Sequence, residues 1–293
     1  MSKSLRVNGQ SRQSNWTVYS PESQIKHPIR LIKFMWRDLL GSRELAWQLF
    51  IRNINAQYRQ SALGFFWAIF PAIVTAWGFT FAKNSGIVNI GETDLPYPAY
   101  VMFSTTLWQT FIESLNAPIQ AVNSSKVMLA RINFPREAII LSQLGQVGFN
   151  FGIKLILIIG LFVWFKMPVT WSVLIAPVGL IHLIILGTAI GLFLAPIGNL
   201  YQDISRFLAV ATSMWLFLTP VVYPVPTEGT IANIVRLNPV TPLLVTTREL
   251  ATTGVISNPQ GFWLVSIVAI VGLFLAWIFY RQAMPYVVER ISS

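Results

Sequence analysis

The stretch Arg52-Asn-Ile-Asn-Ala-Gln-Tyr-Arg-Gln-Ser-Ala-Leu-Gly-Phe-Phe-Trp67 marks the point where this chain changes character. The sequence before it is basic and amphipathic, whereas residues 61–82 are apolar and aromatic without a single charge. An apolar stripe at helical spacing leads into the change and consists of Trp47, Phe50, Ile54 and Tyr58. Arg52 and Arg59 lie off that stripe, so the pattern predicts an amphipathic helix in the lipid headgroup layer that runs into a membrane span. An ordinary basic flank before a first transmembrane helix would have the same pattern.

The composition of the chain is that of an integral membrane protein. Of its 293 residues, 54% are hydrophobic and 11% are charged, whereas about a quarter of a soluble domain is charged. The net charge is +10, but ten of the 21 Lys and Arg residues precede the first apolar segment. Such clustering indicates membrane topology rather than a nucleic-acid partner.

The sequence contains no pattern of a catalytic or metal site. The absence of cysteine excludes disulfides, thiolate nucleophiles and Cys-ligated metals. No GxxxxGK[ST] phosphate loop and no HExxH motif occur, so we expect no ATP hydrolysis and no bound cofactor on this chain. A membrane-embedded glycosyl- or acyltransferase would need an acidic or histidine cluster at a membrane face, which the sequence does not offer. We therefore expect a non-enzymatic protein.

Apolar segments predict an all-α membrane domain over residues 61–280 with six spans of about 20 residues. The predicted spans are about 61–82, 99–122, 137–165, 172–197, 207–224 and 260–280. A polar N-terminal segment (1–27) and amphipathic helices (28–60) precede them, and a short tail (281–293) follows. Sixteen basic residues lie in the segments on the side of the N-terminus and four on the other side. This asymmetry predicts that both termini are cytoplasmic.

Two connecting segments have patterns of their own. Between spans two and three, residues 124–134 predict a short basic helix on the cytoplasmic side, with Lys126, Val127, Met128 and Arg131. It is either a docking element for a soluble partner or a plain interfacial turn. Outside, residues 225–258 are too long for a turn and predict two short helices that dip back into the membrane against other protein segments.

Spans two and three each carry a polar stripe at membrane depth. The stripe of span two consists of Gln109, Glu113, Asn116 and Gln120, and that of span three of Gln143, Gln146, Asn150 and Lys154. Glu113 and Lys154 lie at similar distances from the outer ends of their helices, so we predict that they pair. Two roles are open for these stripes: polar contacts that hold the helices together and part of a substrate path.

Several short motifs, in their order and spacing, resemble one family. They are Tyr58-Arg-Gln-Ser-Ala-Leu-Gly64 with Trp67 and Pro71, Asn133-Phe-Pro-Arg-Glu137, Tyr201-Gln-Asp203, Phe217-Leu-Thr-Pro-Val-Val-Tyr-Pro224 and Leu237-Asn-Pro-Val-Thr-Pro242. From residue 43 onward the chain resembles the membrane subunits of type 2 ABC exporters that move O-antigen, capsular polysaccharide or teichoic acid. Gln202 departs from the family, in which arginine is common at this position.

The resemblance implies a bacterial inner-membrane homodimer with a channel between its subunits and two copies of a separate ATPase, which would bind ATP and Mg. It implies that the helix with Arg52, Tyr58 and Arg59 is an interfacial or gate element, that 124–134 is the coupling helix and that 226–250 forms outer gate helices. Polyprenyl-linked polysaccharide would pass aromatic side chains of spans one and five. These are Phe65, Phe66, Trp67, Phe70, Trp215, Phe217 and Tyr223. Interfacial aromatic belts would account for the same residues.

Two other transport functions remain open. A type 2 ABC permease for a drug or lipid would share the same fold and motifs. An ion-coupled secondary carrier would use Glu113 or Lys154 as a proton site and would work without an ATPase; inverted repeats with broken helices would favour it, and no clear internal repeat is visible.

Overall fold

The computed structural model describes residues 28–59, 64–132, 134–201 and 203–292, and all regular secondary structure in these ranges is helical. The helices are α1 (Pro28–Gly41), α2 (Arg43–Tyr58), α3 (Phe66–Asn84), α4 (Tyr97–Ser124), α5 (Lys126–Arg131), α6 (Glu137–Trp164), α7 (Ala176–Leu200), α8 (Asp203–Phe217), α9 (Thr230–Leu237), α10 (Val240–Ala251) and α11 (Pro259–Ser292). A 3₁₀ turn at Trp171–Leu174 precedes α7. The predicted segment 1–27, residues 60–63, Asn133 and Gln202 lie outside the described residues.

Four helical segments of the described chain are long and apolar enough to cross a membrane. They are Phe66–Asn84, Glu137–Trp164, Trp171–Leu200 and Pro259–Arg290. The helix α4 has 28 residues, but it carries the polar stripe predicted for span two. The helix α8 has only 15 residues. The integral membrane class is therefore clear, and the six-span count remains a prediction.

Two predicted spans differ from the helices that the structure contains. The segment predicted as span five, 207–224, is helical only to Phe217, and residues 218–224 form turns. Pro220 and Pro224 explain this end, because proline cannot donate the backbone hydrogen bond that a helix interior requires. The last helix, α11, continues to Ser292 through most of the predicted tail.

The helix α4 lies at the centre of the fold, and α7 packs closely along one of its faces. Two glycines of α7 allow this approach. A Cβ atom on Gly187 would lie 2.7 Å from the Phe111 carbonyl oxygen, and one on Gly191 would lie 2.0 Å from that of Leu115. Glycine is therefore required at both positions, as in other close contacts between membrane helices.

Side chains of α4 and α10 bind the carbonyl groups of the non-helical segment 218–224. Tyr100 donates its hydroxyl to the carbonyls of Pro220 (3.3 Å) and Tyr223 (2.8 Å). Buried Arg248 of α10 donates to the Pro220 carbonyl (3.4 Å) and to Ser104 Oγ (2.8 Å), and its guanidinium lies over the Tyr100 ring. Irregular backbone is tolerated in a membrane domain where protein groups satisfy it in this way.

Candidate functional site

A polar cavity of about 260 Å³ lies between α2, α4 and α6. Its lining residues are Gln57, Ile112, Glu113, Asn116, Ala117, Gln120, Gln143, Gln146, Val147 and Asn150. Six of the eight residues of the two predicted polar stripes line it. The stripe of α4 and the stripe of α6 therefore face each other across the cavity. Gln109 lies one turn from Glu113, and it does not line the cavity.

The predicted ion pair lies at one end of the polar cavity. Lys154 Nζ is 2.5 Å from Glu113 Oε1, so the predicted pairing is present in the structure. The Lys154 side chain is 1% exposed, whereas that of Glu113 is 32% exposed and lines the cavity. A buried ammonium group requires such a partner, because an unpaired charge at membrane depth is costly.

Asn150 connects this ion pair to α2. Its Nδ2 group donates to Glu113 Oε2 at 3.4 Å, and its Oδ1 atom accepts a hydrogen bond from the Tyr58 hydroxyl at 3.0 Å. Both carboxylate oxygens of Glu113 are thus occupied, one by Lys154 and one by Asn150. The result is a continuous polar chain from Lys154 through Glu113 and Asn150 to Tyr58.

Aromatic rings surround the Tyr58 end of this chain. The ring centroid of Tyr58 lies 4.5 Å from that of Phe65 and 6.1 Å from that of Phe149. Burial raises the pKa of the Tyr58 phenol above its ordinary value, and the negative charge of Glu113 raises it further. The phenol therefore stays protonated at neutral pH and acts as the donor to Asn150.

The helix α2 packs part of its apolar stripe, which the sequence predicts to face lipid, against α6. Phe50 packs over Gly145, where a Cβ atom would lie 3.0 Å from the ring, and Tyr58 packs against Phe149. The prediction of one lipid-facing stripe is therefore wrong for Phe50 and Tyr58, since both lie against α6. Trp47 of the same stripe is 63% exposed, and its ring centroid lies 5.3 Å from that of Phe50.

The arginines predicted as part of the gate lie outside the polar cavity. Arg52 is exposed and donates to Asn53 Oδ1 at 3.2 Å. Arg59 is also exposed and follows the last residue of α2. Of the three residues predicted for this element, Tyr58 is the one whose side chain forms a hydrogen bond to α6 in the described part of the chain.

The predicted docking residues of α5 divide into two groups. Val127 is 67% exposed, and Arg131 is also exposed. Lys126 is half-buried, and Met128 packs against the hydrophobic core. The exposed group is accessible to a partner, whereas Met128 holds the short helix on the transmembrane domain.

The predicted path aromatics also divide into two groups. Exposed rings on the surface of α3, its preceding residue and α8 are Phe65, Phe66, Trp67, Phe70 and Phe217. Trp215 instead packs inward, with its Nε1 donating to Asn238 Oδ1 at 3.0 Å, and Tyr223 donates to the Phe217 carbonyl. These last two side chains hold the turn after α8 in place.

Sequence reasoning missed an ionic cluster that joins three helices. Arg281 of α11 binds Glu137 at the start of α6 (3.1 Å) and Asp38 of α1. Both carboxylate side chains are 8% exposed. An arginine after the long apolar run of α11 was the available signal, but the sequence could not indicate which carboxylates it meets.

Comparisons with known proteins agree with the family suggested by the motifs. A family model described as "ABC-2 type transporter" matches residues 44–252. The chain is 26% identical over 223 residues to an "O-antigen export system permease protein RfbA" of Myxococcus xanthus. The aligned region covers 74% of this chain and 82% of that protein. The chain is 22% identical over 232 residues to a Klebsiella pneumoniae protein of the same name, covering 76% and 85%.

Proposed function

This chain belongs to the ABC-2 type transporter family, and from that membership we propose that it is the membrane subunit of an ATP-driven exporter of polyprenyl-linked polysaccharide. The observation that carries the substrate class is the similarity, over about three quarters of the chain, to proteins named as O-antigen export permeases. O-antigen, capsule or a similar polymer would be the cargo, crossing the bacterial inner membrane.

In the proposed topology the chain crosses the membrane six times, with both termini in the cytoplasm. The four apolar helical segments account for four crossings. The polar face of α4 is covered by α6 and α2, which supports a crossing by that helix as well. The helix α8 together with the turns at 218–224 would complete the sixth, because their carbonyls are bound by protein side chains.

A separate ATPase is the partner that this function requires. The helix α5 is the proposed docking element, since it lies between the ends of α4 and α6 and presents Val127 and Arg131 outward. ATP and Mg would bind to the ATPase and not to this chain. Two ATPase copies would serve two copies of the membrane subunit.

We place the proposed polysaccharide path between two such subunits. The exposed aromatic residues of α3 and α8 support this placement, because a dimer interface at these helices would line a channel with rings. Aromatic faces suit the C–H faces of sugars and let a polymer slide without a fixed site. The helices α9 and α10 lie at the outer end and are the proposed outer gate.

Co-purification tests the proposed function directly. A tagged chain is expressed with the ATPase encoded beside it and is purified in mild detergent. We expect a stable complex that the double variant Val127→Asp and Arg131→Asp disrupts, since both side chains are exposed. The matched control is Val255→Asp, which alters an exposed residue (72%) in the loop before α11. A chain that never associates with the ATPase would contradict the proposal.

One observation supports a second candidate, the ion-coupled carrier. Glu113 has a carboxylate that lines a polar cavity between predicted spans two and three, as a proton site would. Reconstituted vesicles separate the two functions. Transport that needs the ATPase and ATP supports the exporter, whereas transport driven by a proton gradient without the ATPase supports the carrier.

A further inference from the structure

We propose that Tyr58 and Asn150 are positioning residues that transmit changes in the spacing of α4 and α6 to the helix α2. The inference rests on the proposed function, since it concerns how an ATPase bound at α5 would move α2. It assigns a role to the polar cavity that requires no bound ligand.

The connectivity of the chain is the first reason. The six-residue helix α5 lies between the end of α4 at Ser124 and the start of α6 at Glu137. The helix α5 also contacts α11, but its chain connections are to α4 and α6, so a force on α5 acts on the relative position of these two helices. On its other face α4 is in close contact with α7, where a Cβ atom on Gly187 or Gly191 would collide with the backbone of α4. The gap between α4 and α6 is the part that can change.

The polar cavity is the second reason. The cavity has a volume of about 260 Å³ and lies between the polar stripes of α4 and α6, which include Gln120 and Asn150. Polar groups that line such a space can bond to water nearly as well as to each other, whereas close-packed apolar surfaces cannot separate without opening a void. The two helices can thus approach or part here while their polar groups remain satisfied.

The third reason is that a single carboxylate joins the elements involved. Glu113 on α4 binds Lys154 and Asn150, both on α6, and Asn150 binds Tyr58 on α2. Gln146 adds a second contact from α6 to α2 by donating to Gln57 Oε1. When α4 shifts, Asn150 loses or gains its carboxylate partner, and the hydrogen bond that holds Tyr58 changes with it.

The first test removes one hydrogen bond and keeps the ring. Export and ATP hydrolysis are measured together for the wild-type complex, Tyr58→Phe and the control Tyr286→Phe, whose side chain is 72% exposed on α11. We expect Tyr58→Phe to form the complex and hydrolyse ATP but to export at least tenfold less polymer per ATP. An unchanged ratio of export to hydrolysis would overturn the proposal.

The second test uses the absence of native cysteine. The variant Gln57→Cys with Gln146→Cys is joined by a short reducible thiol cross-linker, with each single cysteine variant as control. We expect export to stop after cross-linking and to return after reduction. Full export by the cross-linked protein would show that α2 does not move against α6 and would overturn the proposal. If the wild-type complex shows no ATP-dependent export, the proposed function itself is refuted.

Discussion

The two long faces of α4 contrast in how they treat polar groups. On the face toward α7, Thr106, Thr110 and Ser114 are buried, and each donates its hydroxyl to a carbonyl of α4 itself, four residues earlier, at 2.7–2.9 Å. On the face toward α6, Glu113 binds groups of another helix and lines the polar cavity. We call the first the dry face, because these hydroxyls bond to its own backbone, and the second the wet face, because it borders the polar cavity and its carboxylate depends on groups of α6.

The contrast indicates that the contact of α4 with α7 is fixed, whereas the contact of α4 with α6 is adjustable. Hydroxyls that bond to their own backbone leave a smooth surface, so α7 approaches until its glycines touch α4. On the other face Glu113 reaches outward to Lys154 and Asn150 of α6, and the polar cavity leaves space between the two helices. Four substitutions test whether the two faces differ in this way.

The largest effect is expected from Glu113→Leu. This change leaves the ammonium of Lys154 buried without its carboxylate, and removing one partner of a buried pair costs about 3–5 kcal/mol. We expect a large fall in the melting temperature of the detergent-purified protein. The charge swap Glu113→Lys with Lys154→Glu should recover most of it. A swap that is no better than the single change would mean that the pair is not formed.

The next largest effect is expected from Gly191→Ala on the dry face. The added methyl would lie 2.0 Å from the Leu115 carbonyl oxygen, so α4 and α7 must separate. Such overpacking costs about 3 kcal/mol. The control Gly148→Ala on α6 meets no atom within 4 Å and should melt at the same temperature as the wild type or slightly higher. Equal melting temperatures for the two variants would contradict the close contact.

Tyr100→Phe should have an intermediate effect and tests whether the N-terminal end of α4 is fixed as well. It removes the donor to the carbonyls of Pro220 and Tyr223. The Pro220 carbonyl also accepts from Arg248 Nη1 (3.4 Å), so the carbonyl that loses its donor is that of Tyr223. Leaving a buried carbonyl unsatisfied costs about 1–3 kcal/mol. We expect a moderate fall in melting temperature and faster proteolysis near residue 220. Wild-type resistance to protease would show that other contacts hold this segment.

The smallest effect is expected from Gln143→Leu on the wet face. Gln143 lines the polar cavity, and no side-chain hydrogen bond of this residue occurs in the described part of the chain. We expect a change within about 0.5 kcal/mol, as for substitutions away from specific contacts. A loss as large as that of Gly191→Ala would mean that the wet face is as closely fitted as the dry one.

The sequence was sufficient for the parts of the structure that follow from spacing along one helix. The stripes of α4 and α6 and the Glu113–Lys154 pair were predicted because helical periodicity places every third or fourth residue on one face. The short helix at 126–131 was predicted for the same reason. All of these depend on local geometry and on the cost of charge at membrane depth.

Contacts between distant segments could not be predicted in the same way. The role of Tyr58 depends on Asn150, 92 residues later, and on a glycine at 145 that admits Phe50. Likewise, the carboxylates that meet Arg281 come from α1 and α6, far away in the chain. Helical periodicity predicts which residues of a helix share a face, but it does not predict which helix that face contacts. For this reason the sequence alone predicts a lipid contact for the side of α2 that packs against α6.

The polar stripe of α4 also has a consequence for how the chain is made. Inserting a lone helix into the membrane costs about 2.5–3.5 kcal/mol for each charged residue such as Asp or Lys at its centre. The helices that cover α4, namely α6 and α7, leave the ribosome after it. We therefore expect nascent α4 to stay beside the translocon until these later helices emerge, and to enter the lipid together with them.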